Sequence, residues 1–248
     1  MEIRNQIISL AEQYEKPDFI VGDPSWFMHQ VDGRANQELT AFIASTLSFG
    51  ARSQFMPKVQ GILDAADGDV LGWLKSGEYE KYVPQNDKSF YRIVNCNAMF
   101  RLCKALQHIV EEYGTLKNFV AGSADLRMLS CIEVLDFITS YFQPYELSGL
   151  IPKDIKSPCK RLCMFLRWMV RDNSPVDLGI WSDIIDKRSL IIPLDTHVFQ
   201  QANRLELVCS KTASMTTAIK ISERMLDIFP DDPMRGDFAL FGYGVNNK

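Results

Sequence analysis

The chain lacks the features that would place it in a membrane or outside the cell. Among its 248 residues, no run approaches the roughly 18 uncharged apolar residues of a membrane-spanning helix, so we predict none. The N-terminus has no basic segment followed by an apolar run, which predicts no signal peptide. The six cysteines form no C-x-x-C pair, so we expect reduced thiols in a cytoplasmic protein.

Excess positive charge is also absent. The net charge is −4, whereas domains that bind nucleic acid are usually basic. Between Ile151 and Arg171, however, six basic residues stand against one acid, Asp154. The six are Lys153, Lys156, Lys160, Arg161, Arg167 and Arg171. This patch is either a solvated helix face or a local DNA-binding surface on an acidic protein.

Helical periodicity dominates the rest of the chain. Apolar residues recur at helical spacing over Ile3–Ala11, Leu39–Leu47, Gln54–Ala66 and Arg127–Phe142. The valine, isoleucine and aromatic residues do not alternate with period two. We therefore predict an all-α fold without strands.

Two stretches carry the candidate chemistry. Ser157 is a good N-cap and Pro158 suits the first helical position, which predicts a helix beginning at Pro158 with Lys160 in its first turn. The positive end of the helix dipole disfavours an ammonium group there, and so favours the neutral, nucleophilic amine. Further on, Asp195 is predicted to cap a helix that carries Val198. By position alone, such a lysine is usually only solvated and such an aspartate usually only a cap.

Three segments together resemble a known superfamily. They are C-K-R-L-C-M-F-L-R-W-M-V-R at 159–171, I-P-L-D-T-H-V at 192–198 and D-F-A-L at 237–240. The chain resembles the helix-hairpin-helix DNA glycosylases, which include endonuclease III and the 8-oxoguanine DNA glycosylases. Within that superfamily it is most similar to a bacterial family that shares these three segments.

The resemblance implies a fold and an activity. The fold would be two helical lobes, 36–171 and 1–35 plus 172–248, with a modified hairpin and an active site in the cleft between the lobes. Lys160 would be the Schiff-base nucleophile and Asp195 the catalytic aspartate of a base-excision-repair glycosylase with AP lyase activity. The partner would be double-stranded DNA containing an oxidised purine such as 8-oxoguanine, bound by a nucleoid-associated monomer.

The resemblance also implies DNA contacts. The hairpin of the superfamily binds phosphate through glycine-rich backbone, but this chain has no glycine between Gly149 and Lys160. Lysine ammonium groups would take over that role. Candidate DNA-binding residues are Lys153, Lys156, Arg161, Arg167, Arg171, His197 and Arg52.

The last candidates concern the flipped base. Gly50 stands where endonuclease III inserts a glutamine into the duplex, so Phe49 or Arg52 would serve instead. Asp237 either lines the base pocket or caps a helix, and His197 either contacts phosphate or packs within its helix.

Other functions remain open at this point. One alternative is a protein of the same fold that binds DNA without catalysis, and another is a purely structural helical protein. Cys159 or Cys163 with His197 and Asp195 would form a thiol hydrolase centre, and Asp195 and His197 with His29 or His108 a metal site. Only one cysteine, Cys209, follows Asp195. We therefore predict no iron–sulfur cluster, and we expect neither a cofactor nor a metal.

Overall fold

The computed structural model describes residues 2–122 and 127–246, which are mostly helical. The α-helices of these ranges are α1 (Glu2–Tyr14), α2 (Arg34–Leu47), α3 (Arg52–Ala65), α4 (Val70–Ser76), α5 (Tyr79–Tyr82), α6 (Cys96–Tyr113), α7 (Leu116–Ala121), α8 (Cys131–Phe142), α9 (Lys160–Val170), α10 (Thr196–Arg204), α11 (Met215–Ile228) and α12 (Arg235–Asn246). Short 3-10 helices cover Pro17–Ile20, Pro24–His29, Gln143–Tyr145 and Lys187–Ser189. The predicted helical class is confirmed. In the described ranges, no helix is both long and apolar enough to cross a membrane.

A small hairpin corrects the prediction that the chain has no strand. It consists of β1 (Ser89–Tyr91) and β2 (Val94–Asn95), which pair in antiparallel orientation. Strands this short contain too few residues for period-two alternation to be recognised. At the turn, Arg92 adopts a left-handed conformation with φ of +50°, as tight hairpin turns require.

The chain divides into two compact units. We call one the terminal unit, made of Met1–Val21, Arg127–Leu135 and Ile155–Lys248. We call the other the middle unit, made of Gly22–Leu126 and Asp136–Asp154. The lobes implied by the resemblance, 36–171 and 1–35 plus 172–248, stay a prediction.

The middle unit is built on α2, which is buried from Glu38 to Leu47. Helices α3, α4 and α7 and the 3-10 helix Pro24–His29 pack against it. The apolar run of α2 accounts for this position, because a helix that is apolar on most sides must be surrounded. The buried carboxylate of Glu38 accepts a hydrogen bond from the Lys117 N–H at 3.1 Å, which ties the start of α7 to α2.

The terminal unit is built on α12, which packs against α1 and α10. Glycines let these helices approach closely. A Cβ added at Gly242 would lie 2.4 Å from Tyr14 Cγ, and one added at Gly244 would lie 3.0 Å from His197 Cβ. Helix α10, which carries His197, is therefore held directly against α12.

Candidate active site

Lys160 is the first residue of α9. The sequence predicts that this helix begins at Pro158, and that start is wrong, because Cys159 adopts a left-handed conformation with φ of +46° and ψ of +33°. A residue in that conformation cannot continue a right-handed helix. The Cys159 carbonyl still accepts the first helical hydrogen bond, from the Cys163 N–H at 2.9 Å. Lys160 therefore lies in the first turn, where the sequence analysis expects it.

A buried extended segment, Leu190–Leu194, leads into Asp195. The Ile192 N–H donates to Ser222 Oγ at 2.8 Å, which fixes this segment to α11. Asp195 then caps α10, because its Oδ1 accepts a hydrogen bond from the Val198 N–H at 2.9 Å. The predicted N-cap is confirmed, and the cap fixes the orientation of the carboxylate.

The second carboxylate oxygen of Asp195 faces Lys160. Its Oδ2 lies 3.3 Å from Lys160 Nζ. The lysine side chain is 37% exposed and the aspartate side chain 13% exposed. The amine is thus open to an approaching molecule, and it has a proton acceptor within reach. The structure brings together the two residues that the sequence analysis selects as catalytic.

Asp237 lies in the first turn of α12 and is buried. Its Oδ2 accepts a hydrogen bond from Arg167 Nη1 at 2.5 Å. The pKa of Asp237 is raised from 3.8 to about 6, mainly by burial. The positive charge of Arg167 acts in the opposite direction, and the negative charges of Asp195 and Asp177 add to the increase. Asp237 is therefore a buried carboxylate close enough to sense the charge of Asp195.

Arg167 and Arg171, selected above as phosphate contacts, lie in buried ion pairs. Their side chains are only 5% and 1% exposed. Asp177 joins them, with Oδ1 3.2 Å from Arg167 Nε and Oδ2 2.9 Å from Arg171 Nη1. Arg171 also pairs with Glu15 and with Asp232, the latter at 2.8 Å. This burial argues against direct phosphate contact, because removing a paired charge from its partners is costly. Instead, the two arginines join α9 to α1 and to the turn before α12.

The other basic candidates lie at or near the surface. Residues 146–159 contain no helix or strand, so a long irregular segment precedes α9 where the superfamily has its hairpin. Lys153 and Lys156 are exposed in that segment. Arg161 is half-buried, and burial lowers the pKa of its guanidinium group.

His197 is also half-buried, with its ring perpendicular to that of Phe241 and the two centroids 6.4 Å apart. Its packing against α12 corresponds to the structural alternative for this residue.

Of the candidates for duplex insertion, Phe49 and Gly50 lie in the loop between α2 and α3, and Arg52 is the first residue of α3. The guanidinium group of Arg52 is held by the Gly22 carbonyl at 3.0 Å and by Asp23 at 3.3 Å. The Phe49 ring is half-buried and packs against Tyr91, with centroids 4.8 Å apart. Gly50 contacts the hairpin closely, since a Cβ added there would lie 2.7 Å from Arg92 Nη1.

The hairpin presents a residue that the sequence analysis does not single out. Ile93, at its tip, is 75% exposed. The side chain lies against Gly149, where an added Cβ would be 2.8 Å from Ile93 Cδ1. Arg92, beside it, is also exposed. An isoleucine between two very short strands gives no recognisable pattern, so only the structure reveals its position.

A family model described as "Protein of unknown function (DUF2400)" matches residues 23–246. The chain belongs to the DUF2400 family. No curated protein and no solved structure matches it. The matched range of the DUF2400 chain includes all the candidate site residues, from Phe49 to Asp237.

The geometry of the DUF2400 chain gives the thiol hydrolase alternative no support. Cys159 and Cys163 are both buried. A hydrogen bond with Cys131, together with burial, raises the pKa of Cys163 well above its usual value. A nucleophilic cysteine needs the opposite shift, because the thiolate is the reactive form.

Metal ligation by the DUF2400 chain was the other alternative. Within residues 2–122 and 127–246, no group of three His, Cys, Asp or Glu side chains is arranged to hold a metal ion. Of the proposed ligands, Asp195 and His197 lie in the terminal unit, whereas His29 and His108 belong to the middle unit.

Proposed function

We propose that this protein is a DNA glycosylase with AP lyase activity that acts through a Schiff base on Lys160. The observation that carries the proposal is the 3.3 Å approach of Lys160 Nζ to the capping carboxylate of Asp195. The resemblance to the helix-hairpin-helix glycosylases selects the same two residues independently of this geometry. It is also the basis for proposing an oxidised purine such as 8-oxoguanine as the damaged base.

The proposed reaction begins with a proton transfer. The damaged nucleotide leaves the stack, which costs a few kcal/mol, and its C1′ reaches Lys160. Asp195 takes a proton from the Lys160 ammonium group, and the neutral amine attacks C1′. The N-glycosidic bond breaks, and its electron pair leaves with the base, which takes up a proton. The attached amine then loses one proton, and the C1′–O4′ bond opens with its electron pair on O4′, which takes up a proton. This leaves a protonated Schiff base between Nζ and C1′.

The second half of the reaction breaks the DNA strand. The protonated Schiff base acts as an electron sink, so a proton is lost from C2′ and the 3′ phosphate leaves by β-elimination. Water then hydrolyses the Schiff base and regenerates Lys160. An alcohol or a thiol cannot form this iminium ion, which accounts for a lysine at this position.

Exposed side chains supply the DNA contacts of the proposal. Lys153 and Lys156 can bind phosphate as point charges without a glycine-rich backbone. The exposed Ile93 has the character of the apolar side chains that other proteins insert between base steps, and Arg92 supplies a positive charge beside it.

Borohydride trapping on an abasic duplex tests the proposal. Borohydride reduces a Schiff base to a stable amine, so the wild-type protein should become covalently linked to the DNA. Lys160→Ala should abolish the linkage. Lys220→Ala, which removes an exposed lysine from α11, serves as the matched control and should trap normally. A duplex that contains 8-oxoguanine then tests whether the base itself is removed.

The outcomes separate the proposal from its alternative. Folded wild-type protein that traps no abasic DNA would overturn the lyase assignment. If that protein still bound duplex DNA with a steep salt dependence, the non-catalytic DNA-binding module would be favoured instead.

A further inference from the structure

The hairpin of β1 and β2 lies beside α3 in the middle unit, and two positively charged side chains join them. Arg92 Nη1 lies 3.5 Å from Gln54 Oε1. Lys58 Nζ lies 5.4 Å from the centroid of the Phe90 ring. Gln54 and Lys58 are four positions apart on α3, so their Cβ atoms are neighbours at about 5–6 Å. Gln54, Lys58 and Arg92 therefore share one surface, which we call the hairpin–α3 surface.

The partners of both cations on the hairpin–α3 surface are neutral. Arg92 lies near an amide oxygen, and Lys58 lies over an aromatic face, which attracts a cation without cancelling its charge. Within residues 2–122 and 127–246, no carboxylate forms an ion pair with either cation. The acids of the same two segments, Asp64 and Asp87, accept hydrogen bonds from side-chain amides at 2.8 Å instead. Both positive charges are therefore available to an anion from outside.

The position of Arg92 is fixed by Gly50. This glycine has a φ of +79°, and a Cβ added to it would lie 2.7 Å from Arg92 Nη1 and 3.2 Å from Arg92 Cδ. The arginine side chain thus lies across bare backbone that a larger residue would cover. The Tyr91 hydroxyl donates to the Phe49 carbonyl, which joins the hairpin to the same loop. An arginine held in this way loses little conformational freedom when it binds an anion.

The surroundings of the hairpin–α3 surface favour duplex DNA as the source of that anion. Four basic side chains stand against two acids in residues 52–65 and 86–97, although the whole chain has a net charge of −4; the basic residues are Arg52, Lys58, Lys88 and Arg92. Ile93, next to Arg92, is 75% exposed. A duplex offers a dense row of phosphates for the cations and apolar base steps for the isoleucine.

We propose that Lys58 and Arg92 bind backbone phosphates of duplex DNA beside Ile93. This inference rests on the proposed function for its partner, and it adds a phosphate-binding surface in the unit that does not contain Lys160 and Asp195. It also gives Gly50 a role, which is to make room for the Arg92 side chain.

The test is the salt dependence of binding to an undamaged duplex, measured by fluorescence anisotropy between about 50 mM and 200 mM salt. Each phosphate contact contributes about 0.9 to the slope of log K against log salt concentration. Lys58→Gln and Arg92→Gln should each reduce the magnitude of the slope by about 0.9, and the double variant by about 1.8. At ~0.1 M salt, each single variant should bind about five- to tenfold more weakly.

Three further variants serve as controls. Lys58→Arg and Arg92→Lys keep the positive charge, so both should keep the wild-type slope. Lys220→Gln neutralises an exposed lysine of α11 and should also keep it, since a change of net charge alone does not remove a phosphate contact. Urea midpoints show whether each variant is folded.

The outcomes distinguish this inference from the proposed function. Wild-type protein that binds no duplex would overturn both. Duplex binding with a wild-type slope in Lys58→Gln or Arg92→Gln would overturn this inference alone, as would an equal reduction of the slope in Lys220→Gln. Reduced slopes in the two variants of a protein that traps no abasic DNA would overturn the lyase assignment and support the phosphate contacts.

Discussion

The two oxygens of Asp195 have separate tasks, and two substitutions can separate them. Oδ1 caps α10 through the Val198 N–H, whereas Oδ2 faces Lys160 Nζ. Asp195→Asn keeps an oxygen for the cap, since asparagine is as good an N-cap as aspartate, but it removes the proton acceptor. Asp195→Ala removes both.

The structure gives a magnitude for each effect. Loss of an N-cap costs about 1 kcal/mol of folding free energy. The ion pair with Lys160 adds no more than about 0.5 kcal/mol, because the lysine is 37% exposed and water screens the attraction. We therefore expect Asp195→Ala to lower the free energy of unfolding by about 1–1.5 kcal/mol. Asp195→Asn should lower it by no more than about 0.5 kcal/mol. Both variants should trap abasic DNA about 10²–10⁴-fold more slowly, as expected when a general base is lost.

Urea unfolding followed by circular dichroism measures the stabilities, and single-turnover trapping at saturating protein measures the rates. An Asp195→Asn variant that traps at the wild-type rate would refute the catalytic assignment of the carboxylate. If Asp195→Asn were as unstable as Asp195→Ala, the capping argument would be wrong instead.

The remaining predictions concern the hairpin tip and the buried carboxylate. Ile93→Ser should weaken binding to an abasic duplex about tenfold in fluorescence anisotropy at fixed salt, because a buried isoleucine contributes ~1.5–3 kcal/mol. Val21→Ser, which alters a similarly exposed residue (74%), should have no effect, and equal weakening by both changes would count against the hairpin. Asp237 has a pKa raised from 3.8 to about 6 in the folded protein. The folded state therefore holds this proton more tightly, so the wild-type protein should lose about 3 kcal/mol of stability relative to Asp237→Asn as the pH rises from about 4 to about 6. Urea midpoints across that range check the sign, and a constant difference between the two proteins would refute it.

Local signals in the sequence predict the helices and the capping position of Asp195, one of the two candidate catalytic residues. Asp195 caps α10 because its short carboxylate reaches the Val198 N–H, an interaction between residues three positions apart. Such contacts depend on neighbouring residues alone, so a sequence pattern is enough to identify them. Ser157 and Pro158 give an equally good local signal, but the left-handed Cys159 ends that pattern before α9 begins.

Partners far apart in the chain could not be predicted. The sequence predicts exposed positive charges at Arg167 and Arg171. Their partners Asp237, Asp232 and Glu15 lie far away in the chain, so no local pattern indicates the ion pairs. The approach of Lys160 to Asp195 was expected only through the resemblance, since the residues between them have no pattern that fixes a distance.

The ion pairs of Glu15 have a consequence for the order of folding. This residue of α1 pairs with Arg171 and with Arg235, which follow it by 156 and 220 positions. Contacts between such distant segments form slowly, because a long intervening chain must first be brought into register. During synthesis, the contacts between α1 and α12 can form only after α12 has been made. Most of the middle unit, by contrast, is contiguous in the chain. We therefore expect Lys160 and Asp195, which belong to the terminal unit, to be brought together after most of the middle unit has folded.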